Sequence, residues 1–332
     1  MLNKRSDSLT VLVATYNRLD LLKRTLASVA GGTDIAHEII VIDGGSTDGT
    51  VEYLRSLRNV TAVLQGALLG TARAYNQVWR QIDSKYTCWL SDDTEVVRGS
   101  LGLAVRILEE HDEIGMVGLK MRDTKGPWSK LSYKASISKF GIVTCNHAVM
   151  ATSLLRAVGF FNESYHSYTI DSDLTASVLS AGKQVVMTKE VAILHCREWG
   201  EQLSSTAANQ TMKDRMRGVN NDKIYREKFG FLPPIHNKRF RRGLRLYLLR
   251  ALCLGAKLSG SNTVMSPEDL LTVSRARYIR LKDAIETMQC PYHLVQRIPR
   301  DLLVRKTNPY RHLVENGRSE ATVRGLTKSV SG

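Results

Sequence analysis

Several features are missing from this sequence, and each absence narrows the choice. No run of about 18 uncharged apolar residues occurs, so no ordinary membrane-spanning helix is expected. The opening MLNKRSDSLT has no apolar stretch of the kind a secretory signal needs, so none is expected. The five cysteines (Cys88, Cys145, Cys196, Cys253, Cys290) stand far apart with no CxxC pair. That scatter argues against a zinc ribbon or a disulfide framework and for a reducing, cytoplasmic setting. No internal repeat is visible, and no P-loop. The first apolar strand is followed by TYNRLD, which contains no glycine, so the backbone cradle of a dinucleotide-binding dehydrogenase is missing.

What is present is a soluble-type composition. The 332 residues are 43% hydrophobic and 24% charged, enough to build a core for one large or two modest domains and too apolar for general disorder. The formal charge of +15 is unevenly placed. Residues 1–200 hold 22 Lys and Arg against 21 Asp and Glu, while residues 201–332 hold 25 against 11. The split predicts a catalytic domain over 1–235 and a basic, mainly helical extension over 236–332 that is attracted to something anionic.

Hydrophobic periodicity predicts strands at 9–14, 38–42, 60–64 and 86–90, alternating with helices at 19–30, 47–57 and 70–82. Gly31-Gly32 is expected to stop the first helix. A helix at 101–111, a strand at 115–119, a polar loop or irregular hairpin at 123–141, helices at 153–158 and 171–181, and strands at 184–188 and 191–195 follow. Strand–helix alternation at this spacing implies βαβ units and a mostly parallel sheet.

Ligands of such sheets bind outside the carboxyl ends of the strands. Polar residues collect there: TYN after the first strand, Asp43 after the second, Ser91-Asp92-Asp93 after the fourth. One such cluster is ordinary turn chemistry, but three in succession point to a site. Without a glycine cradle, a diphosphate could be held through a divalent cation on carboxylates. Mg²⁺ or Mn²⁺ typically takes one or two carboxylates plus substrate phosphates.

The ordered blocks VLVATYNR (11–18), EIIVIDGGSTDGT (38–50), LGTARAYNQV (69–78), LSDDTEV (90–96), VGFFNES (158–164), IDSDL (170–174) and a terminal His195 resemble the family 2 glycosyltransferases. These are inverting enzymes of the GT-A fold, an α/β, Rossmann-like architecture with a mostly parallel central sheet flanked by helices. The resemblance spans about 10–200. It implies that Thr15 and Tyr16, with the adjoining Asn17, and Asp43 contact the nucleotide. Gly44 stands where the family often has a second Asp. It implies that Gly70, Arg73 and Asn76 close over the nucleotide. Ser91 takes the first position of the family's DxD motif, so Asp93 becomes the metal ligand, and Asp92 faces the ribose or a metal-bound water. His195 matches a histidine that contacts metal or diphosphate. Asp171 matches the catalytic aspartate, with Ile170 in place of the Glu before it.

The chemistry suits those assignments. Inverting transfer needs one base for the acceptor hydroxyl and positive charge beside the departing nucleoside diphosphate. Asp171 opens a predicted helix, whose positive end favours the ionised form. Asp173 projects elsewhere and is expected to be structural or to support Asp171. The expected donor is a nucleotide sugar, UDP-linked ahead of GDP- or dTDP-linked. The expected acceptor is a glycan or lipid-linked hydroxyl in polysaccharide, lipopolysaccharide or other glycan synthesis.

Residues 238–257 (KRFRRGLRLYLLRALCLGAK) carry seven Lys and Arg and no acid, with Phe240, Leu244, Tyr247, Leu248 and Leu252 at helical spacing. They suit an anionic membrane surface on the cytosolic side, or a helix packed on the catalytic domain with a solvated basic face. No nucleic-acid module accompanies the charge, so no nucleic-acid partner is expected. Two alternatives fit the sequence less well. A nucleotidyltransferase of similar fold would carry a glycine-rich basic loop after the first strand, and none is there. A non-catalytic nucleotide-sugar binder would have no need to keep Asp43, Asp93, Asp171 and His195 together.

Overall fold

A computed structural model describes residues 9–126, 129, 136–137, 143–165, 169–196, 221–229, 251, 292–294 and 310–313. The order is β1 (Leu9–Thr15), α1 (Leu19–Gly32), β2 (His37–Asp43), α2 (Thr50–Ser56), β3 (Thr61–Leu64), α3 (Thr71–Trp79), β4 (Tyr86–Ser91), β5 (Thr94–Val96), α4 (Ser100–Glu110), β6 (Ile114–Gly118) and β7 (Met121–Asp123). Then come β8 (Ser136–Ile137), β9 (Val143–Thr144), β10 (Ala148–Ala151), α5 (Thr152–Ala157), α6 (Ile170–Ser180), β11 (Gln184–Thr188), β12 (Ile193–His195), α7 (Asn221–Phe229) and β13 (Tyr292–Leu294). No helix among the described residues is long and apolar enough to cross a membrane.

Eight strands form the main sheet in the order β13-β11-β6-β10-β4-β1-β2-β3. The pairs β4–β1, β1–β2, β2–β3 and β6–β11 are parallel, while β10 runs antiparallel to both β4 and β6, and β13 to β11. This is the mostly parallel α/β sheet expected from the alternating pattern. The strands are apolar on both faces because both are covered. Leu12, Ile40, Ile42, Met116 and Met150 pack with α3, α5 and α6 around Trp79 and Phe161. Val11, Val13, Val41, Val117 and Val149 pack with α1 and α4 around Leu22, Val29 and Leu101. Within the expected extension, β13 adds an edge strand, and Tyr310 joins the first of these cores. The basic segment 238–257, apart from Ala251, and residues 268–289, whose sequence pattern suggests a further helix, lie outside the described residues.

Two departures from the sequence reading have physical causes. Helix α1 runs through Gly31-Gly32 instead of stopping before them. A Cβ on Gly32 would stand 3.2 Å from the Val96 carbonyl, so that glycine serves close packing. The second is an additional three-stranded sheet, β5-β12-β7, of which only β12 was anticipated. Its strands are three residues long, too short for a period-2 pattern to register.

Candidate functional site

The parallel strands bring β1, β2 and β4 to one edge with their carboxyl ends level. Thr15 stands opposite Asp43 in register, and Ala14 opposite Ser91. The loop after β1 is stitched to the loop after β2. Asn17, in the left-handed region at φ 51°, accepts from the Thr47 N–H at 2.7 Å through Oδ1, and its own N–H donates to Ser46 Oγ at 2.8 Å. Asp48 accepts from the Leu19 N–H at 2.9 Å. Asp43 is 1% exposed. Its Oδ2 accepts from the N–H groups of Gly45 and Ser46 at 2.9 and 3.0 Å, whereas its buried Oδ1 has no hydrogen-bond partner among the described residues. A carboxylate oxygen left unmatched at the edge of a cleft invites an N–H donor. Tyr16, half-buried, lies against Gly44 in the same corner.

The acidic pair at the end of β4 is tightly engaged. Asp92 Oδ2 accepts from Thr15 Oγ1 at 2.8 Å, and Asp92 Oδ1 from Arg18 Nη1 at 2.9 Å. The same Arg18 nitrogen reaches Asp93 Oδ2 at 3.2 Å. Asp93 Oδ1 accepts from Ser91 Oγ at 2.6 Å and faces His195 Nε2 at 3.4 Å. Burial pushes the Asp92 carboxyl up to about 6, against the pull of Arg18 and with a push from the neighbouring Asp93 charge. Burial acts on Asp93 in the same direction, but the hydrogen bond and charge of His195, then Arg18 and Ser91, outweigh it. Its carboxyl is held well below the usual range. The pair therefore contains one strongly ionised carboxylate beside one that is costly to ionise.

His195 reaches Asp93 because of the second sheet. β5 follows Asp93 directly and pairs antiparallel with β12, setting Thr94 opposite His195, and the Cys196 N–H donates to the Asp93 carbonyl at 2.7 Å. On its other side β12 pairs with β7, so His195 stands opposite Asp123. Asp123, fully buried, takes His195 Nδ1 at 2.8 Å through Oδ1.

Asp171 lies in the first turn of α6, half-buried, with its Oδ1 accepting from the Ser172 N–H at 2.9 Å. Helix α6 precedes β11, which is parallel to β6, so its N-terminus lies at the carboxyl edge of the sheet. Because β10 is antiparallel, the segment 145–147 that enters it lies at that edge too. It links the two halves of the site: the Cys145 N–H donates to Thr175 Oγ1 at 3.5 Å, and His147 Nε2 stands 3.5 Å from Ser91 Oγ. Thr169, immediately before α6, is a β-branched residue at φ 83°. Such strain collects where a scaffold fixes a functional group. Asp173, fully buried, forms an ion pair with Lys228 of α7. Lys228 also donates to Ser177 Oγ at 2.9 Å and lies 5.7 Å from the ring centre of Tyr310, whose hydroxyl donates to the Val158 carbonyl at 2.7 Å. Burial raises the Asp173 carboxyl more than Lys228 lowers it.

The third loop is shaped by a glycine and pinned to the turn after α5. Gly70 precedes α3 at φ 90° and ψ 149°, a conformation essentially reserved for glycine. Asn76 is buried and clamps the turn after α5: its Nδ2 donates to the Phe161 carbonyl at 2.8 Å and to Glu163 Oε1 at 2.9 Å, and its Oδ1 accepts from the Phe161 N–H at 3.1 Å. Exposed Arg73 lies 3.5 Å from Glu163. The structure thus joins Thr15, Asp92, Asp93 and His195 directly and sets Asp43 and Asp171 on the same edge. Asn76 and Arg73 meet through Glu163. The sequence assigned no role to Arg18 or Asp123, and to Ser91 only the first position of the DxD motif. Arg18 was visible as a cation one residue past TYN. Asp123 was visible only through its register with His195.

The donors present suit a hard divalent ion completed by a ligand. Among the described residues no three His, Cys, Asp or Glu side chains form a cage that could hold an ion unaided. Asp93, Asp92 and His195 Nε2 offer a partial set, which is what Mg²⁺ or Mn²⁺ uses when substrate phosphates supply the rest. The Nδ1–Asp123 contact orients His195 so that Nε2 faces Asp93, the usual outer support of a metal-binding imidazole.

A family model described as Glycosyl transferase family 2 matches residues 10–158. An N-acetylglucosaminyl-diphospho-decaprenol L-rhamnosyltransferase of Mycobacterium tuberculosis is 24% identical over 234 residues, covering 57% of this chain and 76% of that protein. An uncharacterized glycosyltransferase of Rickettsia typhi is 25% identical over 223 residues, covering 63% and 69%. Among solved structures, the mannosyltransferase PcManGT of Pyrobaculum calidifontis in complex with GDP-Man and Mn²⁺ matches with a TM-score of 0.50 and 19% identity, covering 83% of this chain and 81% of that one. The S. aureus TarS 1-349 structure has a TM-score of 0.46 and 19% identity over 57% of this chain, which spans 60% of it.

Proposed function

We propose that this chain, whose residues 10–158 match the Glycosyl transferase family 2 model, moves a sugar from a nucleoside-diphosphate donor to an acceptor hydroxyl with inversion at the anomeric carbon. One observation carries the reading: the acidic pair Asp92-Asp93 and the buried Oδ1 of Asp43, unmatched among the described residues, stand at the carboxyl ends of β4 and β2, the two strands that flank β1. Asp43 Oδ1 would accept a ring N–H of the base. Uracil, thymine and guanine each present one, and the UDP-sugar is placed first. Tyr16 closes that corner, Thr15 fixes the Asp92 carboxylate, and Asn17 holds the two loops together.

Mn²⁺ or Mg²⁺ on Asp93, with His195 and Asp92 beside it, would supply positive charge for the departing diphosphate. The chain's own groups do the rest. Asp171 accepts the proton of the attacking hydroxyl at a carboxylate oxygen, carried on the first turn of α6. Asp173 and Lys228 hold the helix that carries it. Gly70, Arg73 and Asn76 build the wall over the donor, with Glu163 fixing the last two. The GDP-Man and Mn²⁺ bound by PcManGT are compatible with this chemistry.

In the same reading residues 1–235 are the catalytic domain and 236–332 a basic extension that returns to it at Tyr292–Leu294 and Tyr310. The Mycobacterium relative acts, by its name, on a lipid-linked acceptor. A lipid- or glycan-linked acceptor met at an anionic, cytosolic membrane face would suit the charge of residues 238–257. Thermal unfolding with UDP, GDP and dTDP, each with and without Mn²⁺, tests the reading, because a ligand that binds only the folded state raises its melting temperature. A metal-dependent rise with one or more diphosphates is expected, and no response to any of them would overturn the proposal.

A further inference from the structure

Arg18 lies at the mouth of the acidic pair, and one of its nitrogens serves both carboxylates. Nη1 is 2.9 Å from Asp92 Oδ1 and 3.2 Å from Asp93 Oδ2. The Arg18 side chain is 26% exposed, against 5% and 8% for the two acids, so the guanidinium covers them from the solvent side. The other two oxygens are already taken from within the fold: Asp92 Oδ2 by Thr15, and Asp93 Oδ1 by Ser91 and His195. An ion arriving from solvent therefore meets a cation already seated on the two carboxylate oxygens nearest the opening. A guanidinium and a divalent ion repel each other strongly at such separations.

From this geometry we propose that Arg18 is an internal counter-cation that competes with the divalent ion for Asp92-Asp93, and that on displacement it grips the donor diphosphate. The inference deepens the sugar-transfer reading. Arg18 is suited to both positions. Its planar fork matches phosphate oxygens as well as carboxylates, and its long side chain can change partner by rotamer alone. Its backbone stays anchored, since the Arg18 carbonyl accepts from the Leu22 N–H at 2.9 Å. The free protein then holds metal weakly, because taking the ion means losing the Arg18 bridge. The diphosphate offers the guanidinium a new partner, so ion and nucleotide bind as a pair. Reciprocal coupling between two ligands is typically 5- to 150-fold, and the coupling here belongs in that range.

Mn²⁺ titration by calorimetry and by the paramagnetic resonance signal of free Mn²⁺ reads this directly, without turnover. In the unmodified protein, saturating UDP or GDP should tighten Mn²⁺ binding by about 10-fold or more. Arg18→Gln should bind Mn²⁺ about 10-fold more tightly than the unmodified protein in the absence of nucleotide, and should lose most of the coupling. Arg18→Lys, which keeps the charge but not the fork, should retain part of it. Unchanged or weaker Mn²⁺ binding by Arg18→Gln, in a protein that still melts cooperatively, would overturn the proposal. Additive binding of Mn²⁺ and nucleotide to the unmodified protein would do the same, and needs no variant. If no nucleoside diphosphate binds at all, the sugar-transfer reading fails, while the Mn²⁺-only comparison still decides whether Arg18 competes.

Discussion

Asp123 Oδ1 lies 2.8 Å from His195 Nδ1, across a strand pairing that joins residues 72 positions apart. The contact leaves Nε2 of the same ring facing Asp93, and Asp123 is shut off from solvent. An imidazole held this way has one tautomer and one orientation open to it, which is how an outer carboxylate strengthens a metal ligand.

Replacing Asp123 by Asn keeps the shape but removes the charge behind His195. The expected result is metal affinity about 10- to 100-fold weaker, measured as Mn²⁺ binding in the presence of UDP or GDP, in a protein of near-normal fold. Equal affinity of the two proteins would show that His195 does not serve the ion.

Asp171→Asn cannot accept a proton. The transfer rate should drop by about 10²–10⁴, with donor binding preserved. Single-turnover kinetics with a saturating donor separates the two quantities. A variant that transfers sugar at close to the normal rate would move the base to another acid; Asp173 is buried against Lys228.

Lys228→Met strands the Asp173 carboxylate in the core. Removing one partner of a buried pair costs about 3–5 kcal/mol, and the low end is appropriate because 17% of the Lys228 side chain is exposed. Burial already raises Asp173, and without Lys228 it is raised further. A carboxyl whose folded pKa exceeds its unfolded value of about 4 contributes stability below that value and loses it as pH rises through the folded one. The melting temperatures of variant and parent should therefore lie closest near pH 4 and diverge toward pH 8. A pH-independent gap would mean that Asp173 does not take up the proton.

The basic segment 238–257 carries its own prediction, drawn from charge alone. Each Lys or Arg near an anionic leaflet contributes about 1 kcal/mol. Changing Arg239, Arg241, Arg242 and Arg245 to Gln should release the protein from anionic liposomes in co-sedimentation and leave transfer to a soluble acceptor intact. Salt should weaken the parent's binding without abolishing it, because the interleaved apolar residues are not screened. If parent and variant sediment alike, the membrane assignment fails.

Much of the site could be read along the chain because its parts are local. A strand that is apolar on both faces and ends in polar residues announces the carboxyl edge of a parallel sheet, and Thr15, Asp43 and Asp92-Asp93 each directly end or follow such a strand. Asp171 is local in the same sense, as an acid in the first turn of a helix. Residues joined only by long-range pairing could not be read this way. Asn76 sits in a block expected to cover the nucleotide, and its hold on Phe161 and Glu163, 85 and 87 residues away, shows only in the structure. Asp123 ended a strand too short to show periodicity, at the start of a stretch read as loop.

By itself, then, the sequence determined the alternation of strands and helices, the two-sided burial of the sheet and the carboxylates at its edge. These follow from hydrophobic period and from short-range capping, both of which act within one turn or one strand. The tertiary structure alone decided which charges meet. Arg18 lies on Asp92 and Asp93 because β1 and β4 are neighbours, and His195 lies between Asp93 and Asp123 because β12 inserts between β5 and β7. Electrostatics depends on distance in space, and a strand register can set 72 residues of chain aside to bring a carboxylate and an imidazole within 3 Å.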